Sequence, residues 1–333
     1  MIDKIKIALL AGGPSSEHEV SLASAKNILS NLDKAKYQVT LVLISRDNKW
    51  GFGSEFDSIE TTMNLDEGIQ ELKSLAPDLV FIGLHGTFGE DGTLQSLLEN
   101  NNLKFTGSGS QASSKAFNKL ASQQIVQQLG IRTIKTIDFS KQDWHSDPEK
   151  ILNIARDLGG SLIVKPVEGG SSLGIVLNKD RHSLPKDIEE SFKYSDHIMI
   201  QPFIKGREFS CGVLEKNGVP EALEVTEIIP INQDFFNYES KYNSESSQEI
   251  TPANIDRSIY DQIKSSSVAS HKAHGCSGYS RTDFLLSDGD IYFMEINTLP
   301  GMTTASLVPQ EAKAMGINFS DLLDNIINES LHL

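Results

Sequence analysis

The chain has 333 residues, 38% hydrophobic and 23% charged, an ordinary composition for a soluble globular protein of two or three domains. Its formal net charge of -15 argues against a nucleic-acid binder, whose affinity would rest on a basic surface, but leaves room for phosphate held by a few lysines and a metal. Cys211 and Cys276 lack metal-ligand or redox spacing and no stretch approaches the ~18 apolar residues of a membrane span, so a cytoplasmic protein without disulfides is expected.

The first element is a strand, "KIKIALL". Lys6 interrupts its apolar run and Gly12-Gly13 end it, which favours a buried strand over a signal peptide. "EVSLASAKNILSNL" has helical apolar spacing, "YQVTLVLI" and "DLVFIGL" are strands, and "TLQSLLENN" is a short helix. This βαβ pattern predicts a mostly parallel sheet with helices on both faces. Ligands in such sheets sit beyond the carboxyl ends of the strands. Two polar loops fall there, "GGPSSEHE" and "HGTFGEDG".

The stretch 108–200 differs. Two helical segments, "QASSKAFNKL" and "ASQQIVQQLG", precede a strand near "TIKTIDF" and a helix near "PEKILNIARDLG". "SLIVKPVEGGSSLGIVL" then reads as a hairpin with a long Gly/Ser tip. The final part opens with "HIMIQPFIKGREFSCGVLE" and a long polar loop, "NQDFFNYESKYNSESSQEI", a lid or a mobile surface loop. A helix ("SIYDQIKSSSVASHKAHG"), two strands ("GYSRTDFLLS", "DIYFMEIN") and a terminal helix complete the chain.

Three constellations carry chemistry. A turn at Asp288-Gly289 would make "RTDFLLSDGDIYFMEIN" an antiparallel hairpin. Asp283 lies on one strand, and Glu295 and Asn297 lie two apart on one face of the other. In the right register, three hard oxygen ligands with room for water and phosphate would suit Mg²⁺. The plain alternative is an acidic strand face open to water. The Gly/Ser tip, 167–174, has glycines that allow close backbone approach and N–H groups that cradle anions. Lys165 before it and Lys119 would add cations, although the loop is neither a Walker loop nor a dinucleotide turn and also fits a hairpin without function. In the N-terminal loops, Glu17 would repel phosphate and suits an ammonium group, unless it only favours the start of the following helix. His85 ends the run "LVFIGL" beside a polar loop.

Together, "GGPSSEHEVSLASA", "LHGTFGEDGTLQSLLE", "FTGSGSQASS", "IVKPVEGGSSLG", "IKGREFSCGVL", "YESKY", "RTDF" and "MEINTLPGMTTASLVP" resemble, in order, the D-alanine–D-alanine ligases of the ATP-grasp superfamily. The resemblance spans about residues 4–330. It implies an α/β fold, α+β in the ATP-grasp part, with three domains. These are a parallel βαβ domain over 1–107 carrying the first-substrate site and the dimer contact, a central subdomain over 108–200 with the phosphate loop, and a final subdomain over 201–333 with the metal site and lid. It implies ATP-dependent joining of two D-alanines through a D-alanyl phosphate, for peptidoglycan synthesis, by a cytoplasmic homodimer. A D-Ala–D-Ser or D-Ala–D-Lac ligase, another ATP-grasp carboxylate–amine ligase, and a nucleotide-binding protein without catalysis are the alternatives.

By motif, the resemblance places Asp283, Glu295 and Asn297 on two Mg²⁺ ions, with Mn²⁺ as a substitute. Lys119, Lys165, Gly170, Ser171 and Ser172 would meet the phosphates, Gln201, Phe203 and Ile204 the adenine, and Glu208 the ribose. Glu17 would bind the first ammonium with His85 nearby, while Arg281 and the Gly301 N–H would stabilise the oxyanion. Ser306 and Leu307 would hold the second carboxylate at a helix N-terminus. Ser171 and Tyr242 would join Glu17 in closing the site, with Lys241 beside Tyr242. The D-lactate-using relatives lack that Lys-Tyr pair, so a dipeptide product is expected. This chain departs from the family pattern in Glu168-Gly169-Gly170 for Arg-Glu-Gly, in Asn118 for an Asp, and in Gln201-Pro202 beside the adenine.

Overall fold

The computed structural model describes residues 4–170, 173–231 and 247–332. The first sheet has the order β3-β2-β1-β4, from β1 (Ile5–Gly12), β2 (Tyr37–Ile44), β3 (Trp50–Gly53) and β4 (Leu79–Ile82). β1 runs parallel to β2 and β4, as the βαβ pattern predicts, and β3 adds an antiparallel edge. Its helices are α1 (His18–Asn31), α2 (Leu65–Ser74) and α3 (Thr93–Asn100). β3 and α2 are additions to the predicted elements. The signal for α2 was present: Asn64 and Glu67 form a capping box, each side chain taking the other's backbone N–H.

Next come α4 (Ser110–Phe117) and α5 (Lys119–Gln127). They part at Asn118, two residues before the predicted break, because the Asn118 side chain accepts the Ala121 N–H and caps α5 (3.0 Å). The second sheet, order β5-β8-β6-β7, contains β5 (Ile137–Ser140), β6 (Leu162–Pro166), β7 (Val176–Asn178) and β8 (His197–Pro202), all antiparallel. β6 and β7 form the predicted hairpin. Helices α6 (Lys141–Ser146), α7 (Pro148–Arg156) and α8 (Leu184–Ser191) accompany it, around a core that includes Trp144, Ile151, Ile188 and Ile200. The expected boundary at 200/201 falls inside β8, where Gln201 and Pro202 pair with Ile163 and Leu162.

The third sheet, order β11-β10-β9-β12-β13, comprises β9 (Arg207–Lys216), β10 (Val219–Pro230), β11 (Ser247–Ile250), β12 (Tyr279–Ser287) and β13 (Asp290–Asn297). Both residues of the Asp288-Gly289 turn have positive φ (51° and 84°), the geometry that lets a two-residue loop follow the strand twist. α9 (Arg257–His274) packs on this sheet, and so do α4 and α5, through Ala116 and Val126. α10 (Leu307–Ala314) and α11 (Phe319–His332) follow. α11 buries Leu322, Leu323, Ile326 and Ile327 in the core of the first sheet, a core that also holds Leu214 and Leu223 of the third. The first and third sheets are therefore one packed body, although the chain reaches them far apart in sequence. Cys211 and Cys276 are buried free thiols; burial pushes the Cys276 thiol up to about 12. Among the described residues no helix is long and apolar enough to cross a membrane.

Candidate active site

The β12–β13 hairpin sets the register Asp283↔Glu295 and Arg281↔Asn297, bringing together the three oxygen-bearing side chains the sequence singled out. A register shift between Asp283 and Phe284 adds a residue on β13, a bulge of the kind that re-aims side chains near active sites. Arg281 grips Asp283 with two bonds, Nε to Oδ1 (2.9 Å) and Nη2 to Oδ2 (2.8 Å). Ser210 of β9, directly opposite, donates its hydroxyl to Oδ1 (2.8 Å), and Asn297 Nδ2 approaches Oδ2 at 3.4 Å. Burial works against the Arg281 charge, but the charge and hydrogen bonds of Asp283 outweigh it and raise its pKa.

Two carboxylates and an amide make a hard donor set that leaves most of an ion's coordination to water and phosphate, as Mg²⁺ prefers. The set fits such an ion: the long Asn297 contact is the one Asp283 would exchange for it. Among the described residues no group of three or more His, Cys, Asp or Glu forms a fuller metal cage.

Facing this hairpin is the tip of β6–β7. Lys119, the first residue of α5, donates its backbone N–H to Val167 O (3.0 Å) and its Nζ to Gly169 O (2.6 Å). The same Nζ lies 3.9 Å from Glu295 Oε2, so a cation bridges the Gly169 carbonyl and the Glu295 carboxylate. Asn118, besides capping α5, donates Nδ2 to Glu168 Oε1 (2.8 Å). Two departures from the family pattern thus touch each other. Gly169 has φ 134°, which a side chain would disfavour. A methyl group on Gly170 would lie 2.7 Å from Glu17 Oε1, so the tip reaches across to the N-terminal loop. Lys165 is buried at the end of β6.

At the far end, Gln201 Nε2 donates to Thr136 Oγ1 (2.8 Å). The Phe203 N–H is taken by Ser161 O (2.8 Å), and Pro202 has none. Backbone donors toward an adenine would therefore come from beyond Phe203. Glu208 sits in β9 between Ile228 of β10 and Leu285 of β12.

The N-terminal loops close the other end. Ser15 Oγ donates to His85 O (2.6 Å) and accepts the Glu17 N–H (3.1 Å), fixing one loop on the other. His85 is buried; Nδ1–H donates to Leu299 O (3.0 Å) and Nε2 lies 2.8 Å from Ser24 Oγ. Burial opposes its protonation, but Glu90, 3.8 Å from Nδ1, and Glu17 outweigh burial and raise its pKa. Ser24 also accepts the Met302 N–H (3.2 Å), and Asn27 Nδ2 donates to Met302 O (2.8 Å). α1 thereby holds Met302 by both its N–H and its carbonyl, and with His85 on Leu299 O the loop is fixed on both sides of Gly301. A methyl group on Gly301 would lie 2.6 Å from Ser306 Oγ, so glycine is needed for this approach. Ser306 occupies the N-cap position of α10, and its hydroxyl accepts the Thr303 N–H (3.0 Å) in place of a helix N–H.

One cavity of about 940 Å³ joins these parts. It is lined by Glu17, His85, Lys119, Lys165, Gly170, Gln201, Phe203, Ile204, Glu208, Arg281, Asp283, Glu295, Asn297, Gly301, Ser306 and Leu307. Ser171, Ser172, Lys241 and Tyr242 lie outside the described residues. Residues the sequence reading passed over are Glu90, which also lines the cavity, Ser24 and Ser210. Glu90 stood inside a loop already singled out, whereas nothing local marks Ser24 or Ser210.

A family model described as D-ala D-ala ligase N-terminus matches residues 6–108, and one described as D-ala D-ala ligase C-terminus matches residues 125–328. The D-alanine–D-alanine ligase of Leptospira interrogans is 37% identical, covering 98% of this chain and 99% of its own. The solved VanG D-Ala:D-Ser ligase of Enterococcus faecalis aligns with TM-score 0.82 and 29% identity, over 98% of this chain and 100% of that one. The Bacillus anthracis D-alanine–D-alanine ligase, solved in complex with ATP, aligns with TM-score 0.78 and 32% identity, over 99% and 98%.

Proposed function

The chain belongs to the D-alanine–D-alanine ligase family and is an ATP-dependent ligase, and from that premise we propose how its residues join two D-alanines. The observation that carries the reading is the continuity of the cavity. A carboxylate suited to an ammonium group, two buried lysines, the Asp283–Glu295 edge and Arg281 all face one space.

Glu17 binds the ammonium of the first D-alanine and turns its carboxylate toward the γ-phosphate. A carboxylate oxygen forms a bond to phosphorus as the bond to ADP breaks, giving D-alanyl phosphate. Lys119, Lys165 and the Gly170 region hold the phosphates, and Gln201, Phe203, Ile204 and Glu208 hold the nucleoside. Asp283, Glu295 and Asn297 would hold two Mg²⁺ ions, or Mn²⁺ in their place, which would supply charge neutralisation at the phosphates. The amine of the second D-alanine, its carboxylate at Ser306 and Leu307, then bonds to the acyl carbon. Arg281 and the Gly301 N–H take the charge that develops on the acyl oxygen. As the tetrahedral centre collapses, phosphate leaves and the amine gives up a proton. His85, held by Ser24 and Leu299, keeps the 298–303 loop and the Glu17 loop in register. Ser171, Lys241 and Tyr242 complete the closure that excludes water from the acyl phosphate.

The product feeds peptidoglycan synthesis in the cytoplasm, and the enzyme is a homodimer through the 1–107 region; sedimentation of a monomer would refute the latter. The decisive experiment is D-alanine-dependent ADP release with product mass, in wild type and Glu295→Gln. Undiminished turnover in the variant would overturn the metal assignment. The likeness to a D-Ala:D-Ser ligase supports a second reading, in which the acceptor is D-serine. Competition among D-alanine, D-serine and D-lactate, read by product mass near neutral pH, separates the two.

A further inference from the structure

Glu311 lies on α10, one turn beyond Leu307, and none of its surface reaches water. Its Oε2 accepts the N–H of Gly212 in β9 (2.6 Å). That N–H has no strand partner on the β10 side, where the register shifts between Ala222 and Val225 and no residue stands opposite Gly212. A methyl group at Gly212 would lie 2.7 Å from the same oxygen and 3.3 Å from Val308 Cγ2. The carboxyl thus enters the sheet through a gap made by a bulge and a glycine. On the other edge of β9, Gly212 pairs with Arg281.

Burial pushes the Glu311 carboxyl up to about 8, although the Gly212 N–H and Arg281 both pull it down. Its second oxygen, Oε1, is buried as well, and the Thr226 hydroxyl of β10 also favours the charged form. A buried carboxyl is costly, and a leucine or methionine would fill the same space at lower cost. Its neighbours Val308 and Ala312 on the same helix are buried and apolar.

We propose that Glu311 is a positioning residue for the second half-reaction, tying the helix whose N-terminus receives the second amino acid's carboxylate to β9 at the residue that pairs with Arg281 of β12. The inference rests on the ligase reading above. Glu311 does not line the cavity, so it acts through α10 and β9. Without the tie, the carboxylate site and the oxyanion site lose their fixed separation, while the nucleotide end is untouched.

The test compares Glu311→Gln, which keeps an acceptor oxygen, with Glu311→Met, which fills the space without a strong one. ADP release is measured against each D-alanine binding step and against ATP, with thermal melting to confirm folding. Glu311→Gln stays within about 3-fold of wild type. Glu311→Met raises KM for the second D-alanine and lowers kcat, an about 30-fold loss in kcat/KM for that step, with KM for ATP within about 2-fold. Gly212→Ala, which pushes the carboxyl away from the strand side, reproduces the pattern and serves if Glu311→Met does not fold. Amide hydrogen exchange over 307–314 is read in parallel and needs no turnover. It is slow in wild type and Glu311→Gln and faster in Glu311→Met and Gly212→Ala. Equal shifts in the ATP and D-alanine constants, or unchanged exchange, would overturn the proposal. Failure of wild type to turn over D-alanine would strike the ligase reading instead, and the exchange data would still decide whether the tie exists.

Discussion

Two antiparallel hairpins face the same cavity and use their geometry in opposite ways. β12–β13 turns in two residues and puts its chemistry on the strands, where register fixes Asp283 against Glu295 and Arg281 against Asn297. β6–β7 has three paired positions, Leu162↔Asn178, Ile163↔Leu177 and Val164↔Val176, and beyond that short ladder the backbone at Gly169 and Gly170 approaches Lys119 and Glu17. The first cannot move one carboxylate without the other. The second reaches Glu17 with backbone that lies outside its ladder. Charge placement depends on the long ladder, whereas the backbone approach to Glu17 does not.

The largest effect tests the stiff hairpin. Glu295→Gln should lower kcat by about 10³-fold, because an amide replaces one of the two carboxylates proposed to hold Mg²⁺. ADP-release kinetics at saturating ATP check it, and a loss under 10-fold would mean that register does not carry the catalysis. Next is the β6–β7 connection. Gly170→Ala places a methyl group 2.7 Å from Glu17 Oε1, an atom at the end of a flexible side chain. The chain should melt within about 0.5 kcal/mol of wild type, since Glu17 yields. kcat/KM for the first D-alanine should nevertheless fall about 30-fold. A variant that loses stability instead would show that Glu17 cannot yield.

The third effect is on pH. Glu311 rises from an ordinary value near 4.5 to about 8 on folding, through burial first. Between those values the unfolded chain has released a proton that the folded chain keeps. Stability therefore falls as pH rises through that window, by at most about 1.4 kcal/mol per pH unit, and levels off above it. Denaturant melts of wild type and Glu311→Gln from pH 5 to 9 should show the slope reduced in the variant. The smallest effect is at the base of the tip. Asn118→Asp sets a carboxylate against Glu168, and because that pair is exposed, KM for ATP should rise only about 3-fold. Asn118→Asp combined with Glu168→Lys should restore it, since an attraction replaces the repulsion; no restoration would break the link between the two departures.

Much of this was legible in the chain. The Asp288-Gly289 turn, the two-residue spacing of Glu295 and Asn297, and the Gly-rich tip after Lys165 are local signals, each set by neighbours in sequence. So was the parallel sheet, whose strands the apolar runs outlined. Short elements escaped: β3 is four residues of which two are glycine, and α6 is a single capped turn and a half. The domain boundary at 200/201 missed the end of β8 because nothing in "HIMIQPFIKGRE" marks where pairing with β6 stops.

The sequence by itself determined which side chains carry charge and which share a strand face, because backbone periodicity is a property of adjacent residues. Only the tertiary structure decided what those side chains meet. His85 reaches Leu299 O across 214 positions, Ser210 reaches Asp283 across 73, and Glu311 reaches Gly212 across 99. Each of these contacts depends on how three sheets pack and where two strands shift register. The free energy that sets those choices is burial summed over the whole core, and no short window of residues contains it.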